Sequence, residues 1–465
     1  MARSIVEALT DALGPDKVRT DEAERAARRH DYWVVSHLRD HLGRASPSPA
    51  CVVRPSSVDD VRVALALASA AGAPVVPFGL GSGVVGGVVA SPDSILLDMG
   101  SMSRTRAIDE INLLASFDAG KNGLEAEQEV AAHGLTIGHW PQSVAISSVG
   151  GWVATRASGQ FSTAYGNIED IVHSIEAVLP DGELVILGKG PRASAGPDLR
   201  HLMLGGEGTL GVITGVTFSL RRVPEARALS AFETDTMAAG FAFQREVIQS
   251  GWQPPVIRQY DEREATRLDA RATRCLVFMV HEGPASVVAA EKAAVADMAA
   301  RSGLAPAPTE IVEHWLEHRN TVPRWESFLE RNIVIDTVEV SAGWSAIGAI
   351  YDDAVAALKA LPGCLNGSAH SSHAYRSGLN LYFSFAIGTE QAAAMEGAYF
   401  DAWAAIMEAT ERHGGSLAHH HGIGRVRSPW LERELGAGGL GLLRKLKRAI
   451  DPAGMMNPGA LIPDA

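Results

Sequence analysis

Cysteine is scarce in this chain of 465 residues, which has three. Cys51, Cys275 and Cys364 lie far apart and match no metal-binding or redox spacing, so a disulfide framework and a thiolate metal centre are excluded and buried free thiols are expected. Excess positive charge is missing too. Lys and Arg number 41 against 54 Asp and Glu, for a net charge of −13. That balance argues against nucleic acid or an anionic membrane surface as the main partner, but not against an anionic small molecule that senses local charge. No uninterrupted apolar run is long enough to span a bilayer. The long uncharged stretch 63–92 holds Pro74, Pro77 and several glycines, and is expected to divide into helix, turn, strand and loop. The N-terminal thirty residues mix acids and bases without an apolar signal core, and the terminal "LIPDA" carries no targeting tripeptide, so a cytoplasmic location is expected. Internal repeats and low-complexity linkers are absent as well.

What is present suits more than one domain. In "RPSSVDDVRVALALASAAGAP", Ser57 stands three residues before Asp60 as an N-cap and helical apolar spacing follows, stopped by Gly72 and Pro74. "PVVPF" and "SILLDM" read as short buried strands, and "EAVLPDGELVIL" as two strands joined by the turn Pro180-Asp181-Gly182. Beyond about 224 the character shifts to helices such as "ASVVAAEKAAVADMAARSG", alternating with strands such as "NIVIDTVEV" and "NLYFSFAI". That pattern predicts an α+β unit of helices on an antiparallel sheet. The expected division is an N-terminal helical segment over 1–45, a Gly-rich α/β domain over 46–224 and a second domain over 225–465. The basic run Arg444 to Arg448 near the C-terminus reads as the solvated face of an amphipathic helix.

Gly81-Ser-Gly83-Val-Val-Gly86 satisfies G-x-G-x-x-G, the fingerprint of dinucleotide-binding βαβ units. That unit needs a helix immediately after the glycines. Here "VVGGVVASPD" follows, and glycine costs about 1 kcal/mol and proline about 3 kcal/mol inside a helix. The interval before the strand at Ser94 is also too short for a crossover helix. The alternative is a loop whose Cβ-free residues turn successive backbone N–H groups towards one anion. In that reading Pro77, Phe78, Gly79, Leu80, Gly81, Ser82 and Gly83 form a diphosphate loop. Two further stretches, 139–172 and 204–214, combine glycine with small hydroxyl residues and suit a flat polar cofactor.

These segments, "SSVGGWVATRASG", "YGNIEDIV", "GPDLRHLMLGGEGTLGVIT" and "AHHHGIGRVRSPW", resemble in order and spacing the signatures of the alkyldihydroxyacetonephosphate synthases. Those are FAD-binding proteins of the vanillyl-alcohol-oxidase and PCMH (p-cresol methylhydroxylase) type. The resemblance implies an α+β fold: a PCMH-type FAD-binding domain of two α/β subdomains, and an α+β cap domain with an antiparallel sheet whose C-terminal segment returns to the FAD domain. It implies FAD as cofactor, and since no residue points to a covalent attachment the flavin is expected to be held non-covalently. Beside the diphosphate loop it assigns to FAD Pro141, Gln142, Ser143, Ser147 and Ser148. It adds Gly150, Gly151, Thr155, Ala157 and Ser158, then Glu207, Val212 and Ile213. Gln142 is a departure, because the resembling synthases carry an acidic residue there.

The most unusual chemistry is "HHHGIG", His419 to Gly424. On the residues alone the histidines could be a metal site, a structural polar cluster or proton-transfer groups. No Cys or carboxylate spacing accompanies them for a metal, and imidazole suits proton transfer near neutral pH. If the segment is extended, His419 and His421 share one side and His420 faces the other. The resemblance makes His419, His420 and His421 active-site residues, Tyr382 the catalytic base, Arg258 a residue needed for activity and His139 a histidine beside the flavin. A phenol with a pKa near 10 must be depressed by neighbours to act as that base. Arg324 is the matching substrate-phosphate arginine, with Arg319 and Arg331 as rivals. No metal is expected.

The implied reaction exchanges the acyl group of acyl-dihydroxyacetone phosphate for a fatty alcohol through a flavin N5 adduct. Its alternative is FAD-linked oxidation of a 2-hydroxy acid or other alcohol, since the same fold serves D-lactate and glycolate dehydrogenases. An anionic small-molecule substrate and a homodimer are further expectations.

Overall fold

The computed structural model describes residues 4–463; the last two residues of "LIPDA" lie outside that range. The first unit contains the strand Cys51–Val53 (β1), the helix Val58–Ala71 (α1) and the strands Val75–Phe78 (β2) and Ile95–Asp98 (β3). The Ser57 hydroxyl accepts from the Asp60 N–H, Asp59 and Asp60 face the helix dipole, and Gly72 ends the helix at φ 65°. Val61, Ala64, Leu65 and Ala68 form its buried stripe over a sheet in which β1, β3 and β2 run parallel. Residues 79–92 contain no helix, as the glycine and proline positions require.

A second sheet follows, built from Thr105–Asp109 (β4), Leu114–Asp118 (β5), Val172–Val178 (β6), Leu184–Leu187 (β7) and Val212–Ser219 (β8), in the order β4-β5-β8-β6-β7. All its neighbours are antiparallel. A short helix, Val149–Thr155 (α2), packs Trp152 and Val153 into its core.

The larger cap sheet contains Ala226–Thr234 (β9), Val256–Tyr260 (β10), Cys275–Gly283 (β11), Ile333–Gly343 (β12), Cys364–Ser371 (β13) and Gly378–Gly388 (β14). Its order is β9-β11-β10-β13-β14-β12, antiparallel throughout. Alternation sorts the two faces. Ile257, Val277, Met279, Val338, Val340, Ala369, Leu381 and Phe383 join one apolar core, together with buried residues of the helices Met237–Gln249, Ala285–Arg301, Ile347–Ala360 and Met395–Arg412. The opposite face carries the polar residues of the site.

The chain ends by returning to the first unit: the Val75 N–H donates to the Met455 carbonyl, and the Asn457 N–H to the Val75 carbonyl. The C-terminal helix Leu431–Ile450 corrects the reading of its basic run as wholly solvated. Lys447 is half-buried, and its ammonium donates to the carbonyls of Thr209 and Met456 and to Asp451 at 2.6–2.8 Å. Turned inward, it pins the helix end to the FAD-binding half. Among the described residues no helix is long and apolar enough to cross a membrane.

Candidate active site

A cavity of about 970 Å³ opens between the first two units and the cap, at the top of the about 300–1,000 Å³ typical of ligand clefts. Every residue that the resemblance assigns to FAD lines it, from Pro77 to Ile213. The glycine loop fits the role by shape. Gly81 sits at φ +75°, and a Cβ there would come 2.8 Å from the Phe78 ring; a Cβ on Gly79 would collide with the Ser148 hydroxyl. The loop and the wall behind it can therefore approach only as bare backbone. The small hydroxyls that line the cavity also bond within the protein. Ser148 accepts from the Gly151 N–H and Ser147 from Trp152 Nε1, while Thr155 donates to the Gly151 carbonyl and Ser158 to Asn167. They build the wall, and the residues present fit FAD.

The other side of the cavity is the polar face of the cap sheet. Register places Glu339 opposite Tyr382, Tyr382 opposite His370, and His370 opposite Tyr260, so one row of side chains crosses four strands. The rings of Tyr382, His370 and Tyr260 stack with centroids 4.9 and 5.0 Å apart. Arg258, two residues before Tyr260, shares that face. Its Nε donates to the Tyr260 hydroxyl at 2.8 Å, and its guanidinium lies over the rings of Tyr260 and Trp315. It lines the cavity and is buried there, placed for an anion.

Tyr382 is the centre of this arrangement. Its hydroxyl lies 3.1 Å from His421 Nε2 and accepts from Thr337 Oγ1 at 3.2 Å. His421 Nδ1 lies 2.9 Å from Glu339 Oε2. Glu339 is wholly buried: Oε1 accepts the backbone N–H groups of His419, His420 and His421, and Oε2 pairs with the buried Arg427. Burial alone would raise Glu339, but Arg427 and then His421 hold it well below the usual carboxylate range. The same loop is gripped from the FAD side, where the Glu207 carboxylate accepts the N–H groups of Ile423 and Gly424 at 2.7 and 2.8 Å. Two buried carboxylates, one from each half of the molecule, thus fix the histidine segment.

Several expectations change on this geometry. The Tyr382 phenol is pushed up, by burial first and then by the charges of Glu339 and Asp336, although the Thr337 hydroxyl opposes this. It is a protonated phenol rather than a depressed one. The histidine segment is a bend rather than a strand. His420 and His421 both reach the cavity wall, whereas His419 is turned away, with Nε2 2.7 Å from the Tyr375 hydroxyl. His139 is fully buried, its ring tilted against that of Trp152 with centroids 4.7 Å apart, one layer behind the wall; burial pushes its pKa down to about 3. Arg324 is exposed and does not line the cavity, whereas its neighbours Pro323 and Trp325 do. Arg319 does line it, but stacks on Trp140 and Phe161 and donates to Gln160 at 2.9 Å. Arg331 donates to the Ser327 carbonyl of its own helical turn.

Glu339, Arg427, Thr337, His370 and Asp31 went unmarked in the sequence. Asp31 is buried beside the glycine loop, its carboxylate 2.9 Å from where a Cβ on Gly83 would stand.

Comparison with known proteins agrees with this architecture. Residues 49–188 match the FAD binding domain family, and residues 223–461 match the C-terminal domain of FAD linked oxidases. The chain is 32% identical to the uncharacterized FAD-linked oxidoreductase YgcU of Escherichia coli (strain K12), over 99% of this chain and 98% of the relative. It is 30% identical to the alkyldihydroxyacetonephosphate synthase of Dictyostelium discoideum, over 97% of this chain and 79% of that protein. A glycolate oxidase subunit, GlcD of Escherichia coli (strain K12), is 28% identical over 93% of this chain and 87% of its own length. Among solved structures, an alkyldihydroxyacetonephosphate synthase superposes with a TM-score of 0.80 at 26% identity, covering 98% of this chain and 84% of that one. Substrate-bound p-cresol methylhydroxylase shares the fold, with a TM-score of 0.78 at 15% identity, covering 99% and 96%.

Proposed function

The chain belongs to the FAD-linked oxidase family of flavoproteins, and from that premise we propose that it is a transferase of the alkyldihydroxyacetonephosphate synthase type. In this reaction the bond from C1 of acyl-dihydroxyacetone phosphate to its acyl oxygen breaks, the carboxylate leaves with the bonding pair, and a fatty alcohol oxygen takes its place at C1. FAD, when bound, supplies the ring system that carries the bond exchange without net redox change. The observation that carries this reading is the series Tyr382–His421–Glu339, a hydrogen bond followed by a 2.9 Å imidazole–carboxylate contact, opening onto a cavity that also holds Arg258.

A buried phenol cannot give its proton to water cheaply, but it can give it to a paired imidazole. Glu339 holds His421 so that Nε2 faces the Tyr382 hydroxyl, and the buried carboxylate stabilises the imidazolium that forms. The Tyr382 oxygen then accepts the C1 proton of the substrate, and a proton returns from it to C1 once the alcohol has taken the carboxylate's place, so that the product keeps both C1 hydrogens. Arg258 takes the phosphate, and Trp325, Phe328, Ile335 and Phe385 supply apolar wall for an aliphatic chain. His420, whose pKa burial and then the charge of His421 hold well below the imidazole range, stays neutral and able to accept a proton from the incoming alcohol.

That neutral imidazole also favours a second reading, oxidation of a hydroxy acid or alcohol, in which His420 takes the hydroxyl proton. The experiment that separates the two is anaerobic. Incorporation of labelled fatty alcohol into acyl-dihydroxyacetone phosphate with no acceptor consumed supports the transferase. Flavin bleaching by a 2-hydroxy acid, with no alcohol incorporation, overturns it.

A further inference from the structure

Among the described residues, two clusters, one of three histidines and one of two histidines and a glutamate, converge closely enough to share a ligand, and their chemistry differs. His373, His419 and His420 bring one ligand atom each within 4.8 Å, but both ring nitrogens of His373 and His419, and Nδ1 of His420, already have partners. His373 bonds Ser372 through Nδ1 and the Gly159 carbonyl through Nε2; His419 bonds His420 through Nδ1 and Tyr375 through Nε2. An ion there would have to break this network.

The second group, His314, Glu317 and His318, is spaced i, i+3 and i+4 on the cap helix Glu310–His318, and its ligand atoms also fall within 4.8 Å of one another. That spacing puts all three side chains on one helical face. His318 Nδ1 lies 2.9 Å from the His314 carbonyl. This bond sets the tautomer, so Nδ1 carries the proton and the Nε2 lone pair points outward, as second-shell bonds do for metal-ligating histidines. All three residues are exposed, so binding costs little burial of charge. His314 and His318 also line the rim of the cavity, next to Arg319.

We propose that His314, Glu317 and His318 form a binding site for one zinc-class divalent cation on the rim of the active-site cavity. Two imidazoles and one carboxylate suit a borderline cation of the zinc type rather than magnesium or calcium, which take oxygen donors. Three protein ligands leave a coordination position open, beside the rim at which, on the function proposed above, an anionic substrate group enters. Occupancy places two positive charges and an exchangeable oxygen site at the entrance, so the ion modulates access.

The test is equilibrium dialysis of Zn²⁺ against the FAD-loaded full-length protein, with magnesium as a control, on wild type, H314A/H318A and E317A. The expected result is one Zn²⁺ per chain that magnesium does not displace. H314A/H318A should weaken it by more than the about 10–100-fold that loss of a second-shell partner costs, with E317A between. The variants' flavin absorbance should stay unchanged, because the altered side chains are exposed. Equal stoichiometry and affinity in wild type and H314A/H318A would overturn the proposal, as would displacement by equimolar magnesium.

Discussion

The side-chain amide of Gln142 donates to the carbonyl of Thr321 at 2.5 Å, joining the FAD-binding half to the loop that borders the cavity from the cap. Gln160 holds the same loop by donating to the Arg319 carbonyl at 3.0 Å, and the Tyr32 hydroxyl donates to the Pro323 carbonyl at 2.8 Å. The departure at position 142 thereby acquires a physical meaning, since an ionised carboxylate has no proton to give a carbonyl. Gln142→Glu should loosen the loop by about one hydrogen bond, about 1 kcal/mol, and so raise tryptic cleavage after Arg319 or the exposed Arg324 about 5-fold. An unchanged cleavage rate, followed by mass spectrometry, would show that Gln160 and Tyr32 suffice.

Tyr382→Phe keeps the ring stack with His370 and removes only the hydroxyl shared with His421 and Thr337. If the phenol is the proton acceptor at substrate carbon, turnover should fall by about 10²–10⁴-fold, the usual worth of a positioned acid or base. The flavin spectrum should be unaltered. Full activity in this variant would remove Tyr382 from the mechanism.

Which parts of this were legible in the sequence follows from what each residue had to do locally. The glycine loop, the α1 cap at Ser57, the Pro180–Gly182 turn and the alternating cap strands are written in neighbouring residues, so pattern and chemistry suffice to find them. Glu339 is different. In "VIDTVEV" it looks like any outward acid of an amphipathic strand, and only the pairing register with β14 sets it opposite Tyr382. Asp31 and Arg427 also find their partners across long chain separations, which no spacing rule reveals. A strand's alternation would set His420 apart from its neighbours, but the segment is a bend, whose direction is set by two carboxylates elsewhere in the chain.

The two arginines offered for the substrate should part company. Arg258 is buried against Tyr260 and Trp315 on the cavity wall, whereas Arg324 is exposed. Arg258→Lys loses the planar fork and its stacking, and is expected to raise KM for the anionic substrate by about 10-fold or more. Arg324→Ala should leave kcat and KM within error of wild type. A reversal of that order in steady-state kinetics would restore Arg324 as the anion site.

Glu339 touches no reacting atom in this scheme, so it acts as a positioning residue. Glu339→Gln keeps one oxygen for the three backbone N–H groups but turns an amide donor towards Arg427 and His421. Removing one partner of a buried ion pair costs about 3–5 kcal/mol, visible as a lower Tm. The functional signature is a fall in kcat with KM nearly unchanged, because His421 loses the carboxylate that holds its Nε2 towards the Tyr382 hydroxyl. A variant that loses stability alone would make Glu339 structural only.

Asp31 and Glu207 carry the opposite electrostatics. Burial, only partly offset by backbone N–H groups of Val88 and Trp33, raises Asp31 from 3.8 to about 7; burial, offset by those of Ile423 and Gly424, raises Glu207 from 4.5 to about 7. Both flank Gly87: a Cβ there would lie 3.8 Å from Asp31 Oδ2 and 3.6 Å from Glu207 Oε2. Between its unfolded value and about 7, each group binds more protons in the folded chain than in the unfolded one. Their contribution to stability is therefore fully present below the unfolded values, falls as pH rises towards 7, and is flat above. Depressed acids such as Glu339 act in the reverse sense at lower pH, so the effect is isolated by difference. Glu207→Gln mimics the protonated acid, and its Tm relative to wild type should climb between pH 4.5 and about 7 and then level off, a gain on the order of 3 kcal/mol at most. Measured with FAD saturating at every pH, a difference that stays constant across that range would mean that Glu207 remains ionised beside the glycine loop.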